Sequence, residues 1–321
     1  MTTLTIVVLI LLVLVASAWL FTRRMAALVE ARVPPVGRFV DVPGATLHFV
    51  DRGESTDRLP IVMLHGLGGQ LHHFNYALVD AFARDTRVIA LDRPGSGYSR
   101  RLRGEATTLI QQAAAIDALL QQSGIERALF VGHSLGGALS LALALYHPER
   151  VAGLALIAPL THLSVPLPPV FRGLSVKGEL ARRAVATLLA TPVFLLNRER
   201  VMPQIFGPES PPPQYATRAG GLLSLRPSQY IGAAGDLGAL TAVMPEIESR
   251  YAEFNARGAP AISILYGRED RVLDYRIQGE GFLARVPGSR LTLVTGGHML
   301  PITQTDTCAQ FIREAWTSAH G

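Results

Sequence analysis

The chain has 321 residues, which is enough for one large or two small domains with a sizeable core. Apolar residues make up 49% of it and charged residues 17%, so a disordered chain is excluded, and the 30 glycines and 21 prolines indicate many tight turns. The single cysteine, Cys308, excludes an intrachain disulfide and a cysteine-based metal site. Residues 1–38 carry +3 of the net charge of +5. The rest of the chain carries only +2, which does not indicate a nucleic-acid-binding surface.

The N-terminal segment differs from the rest of the chain. Residues 4–21 carry no charge, and as a helix they would span about 27 Å, close to the hydrocarbon thickness of a bilayer. A buried core helix would need a polar face, which this stretch lacks. We therefore predict a transmembrane segment over residues 1–22, which contacts the lipid bilayer through residues 4–21, followed by a linker over residues 23–38.

A cleaved signal peptide is the alternative for this segment. The small residues around Ala18 offer a cleavage site, but no positive charge precedes Leu4. Under the anchor hypothesis, Trp19 lies at the interface, and Arg23 and Arg24 place the C-terminal body in the cytoplasm by the positive-inside rule. Cleavage near Ala18 would instead make the body periplasmic or secreted.

The body alternates between strand and helix patterns. Residues 39–42 and 46–51 flank Pro43-Gly44 and read as a hairpin, after which short apolar runs alternate with longer helical segments. Such runs are typical of parallel strands buried on both faces, so we predict a mostly parallel, doubly wound α/β sheet with its site at the carboxyl ends of the strands. The predicted buried strands are residues 61–64, 88–91, 128–131, 154–157, 262–266 and 291–294. Helices are predicted near residues 72–84, 106–122, 135–147, 274–285 and 303–317.

The strand at residues 128–131 runs directly into Gly132-His133-Ser134-Leu135-Gly136 and an apolar helix. This is the pattern of a nucleophile elbow, in which a sharp turn between strand and helix lifts a serine hydroxyl above the sheet. Serine alone is a poor nucleophile, because it needs a base and a carboxylate that orients the base. Ser134 is therefore the candidate nucleophile.

Two later strand ends supply the partners. Asp270 follows the strand at residues 262–266, and His298 follows the strand at residues 291–294, which gives the chain order serine, acid, histidine. Glu269 and Asp274 compete with Asp270, but Glu269 is expected to point away and Asp274 to cap the next helix. The rival histidines are expected in other roles: His65 in the loop after the third strand and His133 as a packing residue. His72 and His73 could line the pocket or face solvent, and solvent is favoured.

Together these motifs resemble the α/β-hydrolase family with an inserted cap. The resemblance covers about residues 39–318 and rests on His65-Gly66, on the run from Asp92 to Ser99, and on the three segments that carry Ser134, Asp270 and His298. It implies a core formed by residues 39–159 and 258–321, a mainly helical cap over residues 160–257, and an oxyanion hole made by the N–H groups of Leu67 and Leu135. It implies no metal or organic cofactor, and it assigns Arg93 to the structure of its turn.

The function that follows is a serine hydrolase that cleaves an ester of an apolar acyl small molecule through an acyl-enzyme, as a carboxylesterase or a lipase-like enzyme does. A serine in place of aspartate at the elbow argues against epoxide and haloalkane chemistry. The alternatives on the same fold are hydrolysis of a carbon–carbon bond, a thioester or an amide, or cofactor-free peroxidase chemistry. The alternative outside enzymes is an anchored binding module, against which the complete serine, aspartate and histidine set argues.

Overall fold

The computed structural model describes residues 2–54, 57–102, 107–163 and 166–319. Their strands are β1 (Arg38–Val42), β2 (Ala45–Arg52), β3 (Ile61–Leu64), β4 (Val88–Leu91), β5 (Arg100–Arg101), β6 (Ala128–His133), β7 (Val151–Ile157), β8 (Ala261–Gly267) and β9 (Arg290–Val294). Their α-helices are α1 (Thr3–Arg32), α2 (His72–Asn75), α3 (Leu78–Phe82), α4 (Leu109–Gln122), α5 (Leu135–Tyr146), α6 (Glu179–Val185), α7 (Thr191–Phe206), α8 (Pro227–Ser249), α9 (Gly281–Arg285), α10 (Leu300–Thr303) and α11 (Thr305–Ala319).

All nine strands of the described residues form one sheet in the order β1-β2-β4-β3-β6-β7-β8-β9, with β5 beside β2. The six strands from β4 to β9 along this order are parallel, whereas β1, β2 and β5 pair antiparallel. The predicted α/β class with a mostly parallel sheet is confirmed. Because the carboxyl ends of β6, β8 and β9 lie at the same edge, the loops that follow them meet there.

Each face of the sheet is covered by helices, as the strand patterns require. Along β3, Val62 and Leu64 pack with α4, α5 and α8 on one face, whereas Ile61 and Met63 pack with α3 and α11 on the other. This alternation follows from the two-residue period of a strand, and it explains why all four residues are apolar. Cys308 lies within the second layer and is fully buried.

Two predicted helices differ from the structure, and one observed strand was not predicted. The helix predicted over 72–84 is broken into α2 and α3, because Ala77 between them has a non-helical φ of −154°. The helix predicted over 274–285 begins as a π-helical turn at Arg276–Glu280 before α9. Strand β5 was not predicted, since two residues are too few to show a period.

Helix α1 is longer than the predicted transmembrane segment and runs without a break to Arg32. Residues 23–32, expected in the linker, stay helical because the end of α1 packs on the cap: Val29 and Val33 are buried with Leu223 and Leu225. Glu30 also pairs with Arg226 at 2.9 Å. By length and composition α1 suffices to cross a membrane, and a signal sequence meets the same criterion.

The cap connects β7 to β8 and is mainly helical. It contains α6, a π-helical turn at Ala186–Ala190, α7, a 3-10 turn at Gly221–Leu225 and α8. Helix α8 lies across the carboxyl edge of the sheet so closely that a Cβ at Gly232 would lie 2.0 Å from the carbonyl oxygen of Gly95. The cap is therefore seated on the loops that form the site.

Candidate active site

Ser134 occupies the turn between β6 and α5 with φ 54° and ψ −119°, a conformation that is strained for a residue with a side chain. Its N–H donates to the Ile157 carbonyl at 3.0 Å. The turn is possible because glycines flank it: a Cβ at Gly136 would lie 2.0 Å from the Leu64 carbonyl oxygen. The sequence therefore forces Ser134 into the turn of an elbow, where it is buried from bulk solvent but borders a cavity.

His298 and Asp270 form a buried pair. Nδ1 of His298 lies 2.7 Å from Oδ2 of Asp270, and both side chains are at most 5% exposed. The other carboxylate oxygen, Oδ1, accepts the N–H groups of Val272 at 2.8 Å and Leu273 at 2.9 Å. The carboxylate is thus fixed, and it selects the tautomer with the proton on Nδ1, which leaves Nε2 able to accept a proton.

The structure brings Ser134 and His298 to one cavity, with Asp270 behind the histidine. Ser134, His298 and Leu67 line this cavity of about 50 Å³. By contrast, the rival acids are engaged elsewhere: Oε2 of Glu269 accepts the Gly296 N–H at 2.6 Å, and Oδ1 of Asp274 accepts the Arg276 N–H at 2.9 Å.

The two candidate oxyanion donors border the site from different elements. Leu135 is the first residue of α5, so its N–H has no acceptor within the helix. Leu67 follows β3 and lines the same cavities as Ser134. The loop after Leu67 is held by the cap, because Nε2 of Gln229 donates to the carbonyls of Gly68 and Gly69 at 2.9 and 2.7 Å.

His65 and His133 have structural surroundings, as expected. Nδ1 of His65 donates to the Gly66 carbonyl at 2.8 Å, and its Nε2 accepts the Arg93 N–H at 2.9 Å. Nε2 of His133 donates to the His298 carbonyl at 3.0 Å. Burial lowers the pKa of both imidazoles well below the ordinary value, and the positive charge of Arg93 adds to the effect at His65.

The expectation that His72 and His73 face solvent is wrong, because they are only 7% and 8% exposed. Leu71 and Phe74, their neighbours, belong to the core, and this draws the whole short helix α2 inward. His73 lines the small cavity with Ser134 and His298. Burial lowers the pKa of His73 to about 4.

This burial predicts a pH dependence of stability. Below pH about 6.5 the unfolded chain binds a proton at His73 while the folded chain does not, so the free energy of unfolding falls by about 1.4 kcal/mol per pH unit for this residue until pH about 4. Urea unfolding of the full chain in detergent at pH 7.5, 5.5 and 4.5 measures the slope, which we expect to be shallower in His73→Leu. An identical slope in that variant would contradict the burial of a neutral His73.

Two acidic residues of the cap, Asp236 and Glu209, hold the site and gave no sequence signal. Arg93 is fully buried and its Nη1 pairs with Oδ2 of Asp236 in α8 at 2.8 Å, while Arg101 contacts the other oxygen of that carboxylate. Oε2 of Glu209 in the cap accepts the N–H of Gly297 at 2.9 Å, next to His298. These partners are more than 80 residues apart in the chain, so no local pattern marks them.

Two larger cavities flank the site. The first, about 460 Å³, lies beside Ser134 and Leu135 and is lined mainly by apolar side chains, with Arg182 and Lys177 at its wall. The second, about 470 Å³, extends from Leu67 and His73 into the cap. The walls of both cavities are mainly apolar.

Comparisons with known proteins agree with this architecture. A family model described as alpha/beta hydrolase fold matches residues 60–183. The dihydrolipoyllysine-residue acetyltransferase component of an acetoin cleaving system from Cupriavidus necator is 38% identical over 123 residues, which are 38% of this chain and 32% of that protein. The chain thus spans about a third of that relative's length.

Two further proteins, one matched by sequence and one by structure, cover more of the chain. A 2-hydroxy-6-oxononadienedioate/2-hydroxy-6-oxononatrienedioate hydrolase from Pseudomonas putida is 29% identical over 251 residues, which are 76% of this chain and 82% of that protein. The crystal structure of an alpha/beta hydrolase fold protein from Burkholderia ambifaria matches with a TM-score of 0.71 at 20% identity, covering 87% of this chain and 97% of that one.

A parallel sheet with an elbow after one central strand and an inserted helical segment after the next defines the class of α/β-hydrolase folds. The chain has the α/β-hydrolase fold.

Proposed function

We propose that this chain is a serine hydrolase that breaks a bond next to a carbonyl carbon in an apolar small molecule. The observation that carries the proposal is the convergence of Ser134 with the paired His298 and Asp270 on one cavity. A binding module would not need an orienting carboxylate, held by two backbone N–H groups, behind a histidine.

The chemistry follows from the positions of these groups. Ser134 Oγ forms a bond to the carbonyl carbon, its proton passes to His298 Nε2, and the negative charge on the carbonyl oxygen is stabilised by the N–H groups of Leu67 and Leu135. The bond to the leaving group then breaks, and the leaving group takes the proton from His298. Water adds to the acyl-enzyme by the same route in reverse, which restores Ser134.

The Pseudomonas putida relative supports a carbon–carbon bond better than the predicted ester. Its name describes a 6-oxo acid, in which both bonds to the ketone carbon are carbon–carbon bonds. A carbon leaving group needs conjugation to hold the electron pair until it is protonated, and the 2-oxo tautomer of a 2-hydroxy dienoate, with its proton moved to C5, offers such conjugation. We therefore place carbon–carbon hydrolysis of a conjugated oxo acid first and ester hydrolysis second.

The first cavity supports an acidic substrate. Arg182 lies at its wall with its guanidinium against α8, where a Cβ at Gly238 would be 3.1 Å from Nη2. Nε of Arg182 donates to the Val176 carbonyl at 2.9 Å, and no carboxylate of the described residues forms a salt bridge with it. A cation that forms no salt bridge among the described residues and lies beside apolar walls suits a molecule with an apolar body and a carboxylate.

Substrate profiling tests this order. We expect Arg182→Gln to raise KM for a 2-hydroxy-6-oxo-dienoate by on the order of tenfold, because one charge-assisted contact is lost, and to leave the hydrolysis of a neutral short ester unchanged. Arg183→Gln is the matched control, since Arg183 pairs with Glu179 on the surface. Turnover of neutral esters but not of the oxo acid would place ester hydrolysis before carbon–carbon hydrolysis. Turnover of thioesters or amides alone would contradict both proposed reactions.

We also propose that α1 anchors the enzyme in a membrane. Support comes from the uncharged residues 4–21 and from the exposure of their side chains. The cytoplasmic orientation of the body remains a prediction from Arg23 and Arg24. The mass of the membrane-extracted protein tests the anchor, because cleavage after Ala18 would contradict it.

A further inference from the structure

Exposed apolar side chains are concentrated on the cap. Outside α1, the described residues include seven large apolar side chains that are exposed, and four of them lie within residues 180–196. Leu189, Val193 and Leu196, which we call the apolar cap face, are 53%, 51% and 84% exposed. Their spacing of four and three residues places them along one side of the continuous helical segment formed by the Ala186–Ala190 turn and α7. Such a contiguous face indicates an interaction surface.

The apolar cap face lies on elements that contact α1. The Ala186–Ala190 turn, α7 and the Gly221–Leu225 turn all touch this helix. Thr22, the first residue after the uncharged stretch, is 1% exposed, and Val29, two turns further, is 2% exposed. The cap therefore meets α1 at the end of its bilayer-length segment, at the level where a headgroup region would begin.

The charge around this face matches an anionic lipid surface. Residues 177–200 contain five basic and two acidic side chains, a net charge of +3. Arg200 lies eleven residues after Leu189, so it extends the same side of the helix. Apolar side chains flanked by basic ones are the composition of helices that lie in a membrane interface.

The second cavity connects this face to the site. Leu189 and Val193, which are about half exposed, line it. Leu67, His73, Phe171, Ile205 and Met299 also line it, and the same five residues border the small cavity of Ser134 and His298. The rest of its wall is mainly apolar and includes Leu174 and Phe194.

We propose that the apolar cap face docks on the phospholipid bilayer crossed by α1, and that the second cavity admits an apolar substrate from that bilayer to Ser134. This inference rests on the proposed hydrolase function and on the anchor. It assigns the cap a second role, as an entrance that faces the membrane. The substrate class it implies is a carbonyl compound whose apolar body partitions into lipid, such as an oxo acid with a long apolar chain.

Docking is tested independently of catalysis with the full chain in vesicles of phosphatidylcholine and phosphatidylglycerol. An environment-sensitive dye is attached to Leu196→Cys and, as control, to Ile277→Cys, which replaces another exposed apolar residue in the Arg276–Glu280 turn. Cys308 is buried and burial raises the pKa of its thiol, so labelling goes to the introduced cysteine. We expect spin-labelled lipids to quench the dye at position 196 and aqueous iodide to quench the dye at position 277.

The entrance is tested with two fluorophosphonates, one short and water-soluble and one carrying a hexadecyl chain. Both form a bond to Ser134 Oγ and release fluoride, so they report access whatever bond the natural substrate contains. In Leu196→Asp, whose side chain lines none of the cavities described, we expect the rate with the hexadecyl probe to fall on the order of tenfold and the rate with the short probe to stay within a factor of about two. Ile277→Asp should change neither rate.

The outcomes separate the two proposals. Equal iodide quenching at positions 196 and 277, or an equal fall with both probes in Leu196→Asp, would overturn the membrane entrance. A lack of reaction of the unsubstituted protein with either probe would overturn the hydrolase function, and the quenching experiment would still decide the docking.

Discussion

Replacing Ser134 by alanine is expected to lower hydrolysis by on the order of 10⁴-fold or more, because no other group at the site can take the place of its Oγ as nucleophile. Alanine lacks only the hydroxyl, and the strained φ of 54° is imposed by the turn rather than by the side chain, so the variant is expected to fold. Circular dichroism and urea unfolding serve as the control for folding. Loss of fluorophosphonate labelling should accompany the loss of turnover.

Ser140 provides the control for the Ser134 variant. Ser140, which follows on α5, is fully buried and donates to the Gly136 carbonyl at 2.8 Å, so Ser140→Ala is a matched control that should keep its activity within a few fold. Near-normal activity of Ser134→Ala would refute the triad mechanism.

Replacing Asp270 by asparagine is expected to lower turnover on the order of 10⁴-fold, by analogy with serine proteases. The amide keeps the size of the carboxylate and can still accept the N–H groups of Val272 and Leu273. It also offers an N–H toward His298 Nδ1, and this favours the tautomer whose proton is on Nε2, where it cannot accept the proton of Ser134.

Glu269→Gln is the matched control for the acid. Glu269 contacts the Gly296 N–H and holds the loop before His298, so we expect a fall in activity that is at least a hundredfold smaller than that of Asp270→Asn. If Glu269→Gln were the inactive variant and Asp270→Asn the active one, the assignment of the acid would be wrong.

The cap holds both halves of the site in place. Gln229 connects the loop after Leu67 to Gly97, and Glu209 holds the N–H of Gly297. Asp236 pairs with Arg93, whose Nε donates to the His65 carbonyl beneath the oxyanion loop. The cap is thus part of the framework that positions the candidate catalytic groups as well as a cover above them.

The sequence by itself determined the α/β class, the positions of the buried strands along the chain, and the positions of Ser134, Asp270 and His298 at strand ends. Those inferences depend on local information: the period of apolar residues, the glycines that a tight turn requires, and the parallel sheet that brings the carboxyl ends of β6, β8 and β9 to one edge. It left open which bond is cleaved, since that depends on the walls of the cavities.

Only the tertiary structure decided the length of α1, the burial of His72 and His73, and the partners of Arg93. Each of these depends on contacts between residues far apart in the chain: α1 stays helical past Arg24 because the Gly221–Leu225 turn packs against it, and α2 turns inward because its apolar neighbours reach the core. The pairing of Asp236 with Arg93 spans more than 140 residues. Periodicity reports which side of an element is apolar, and only packing decides what covers that side.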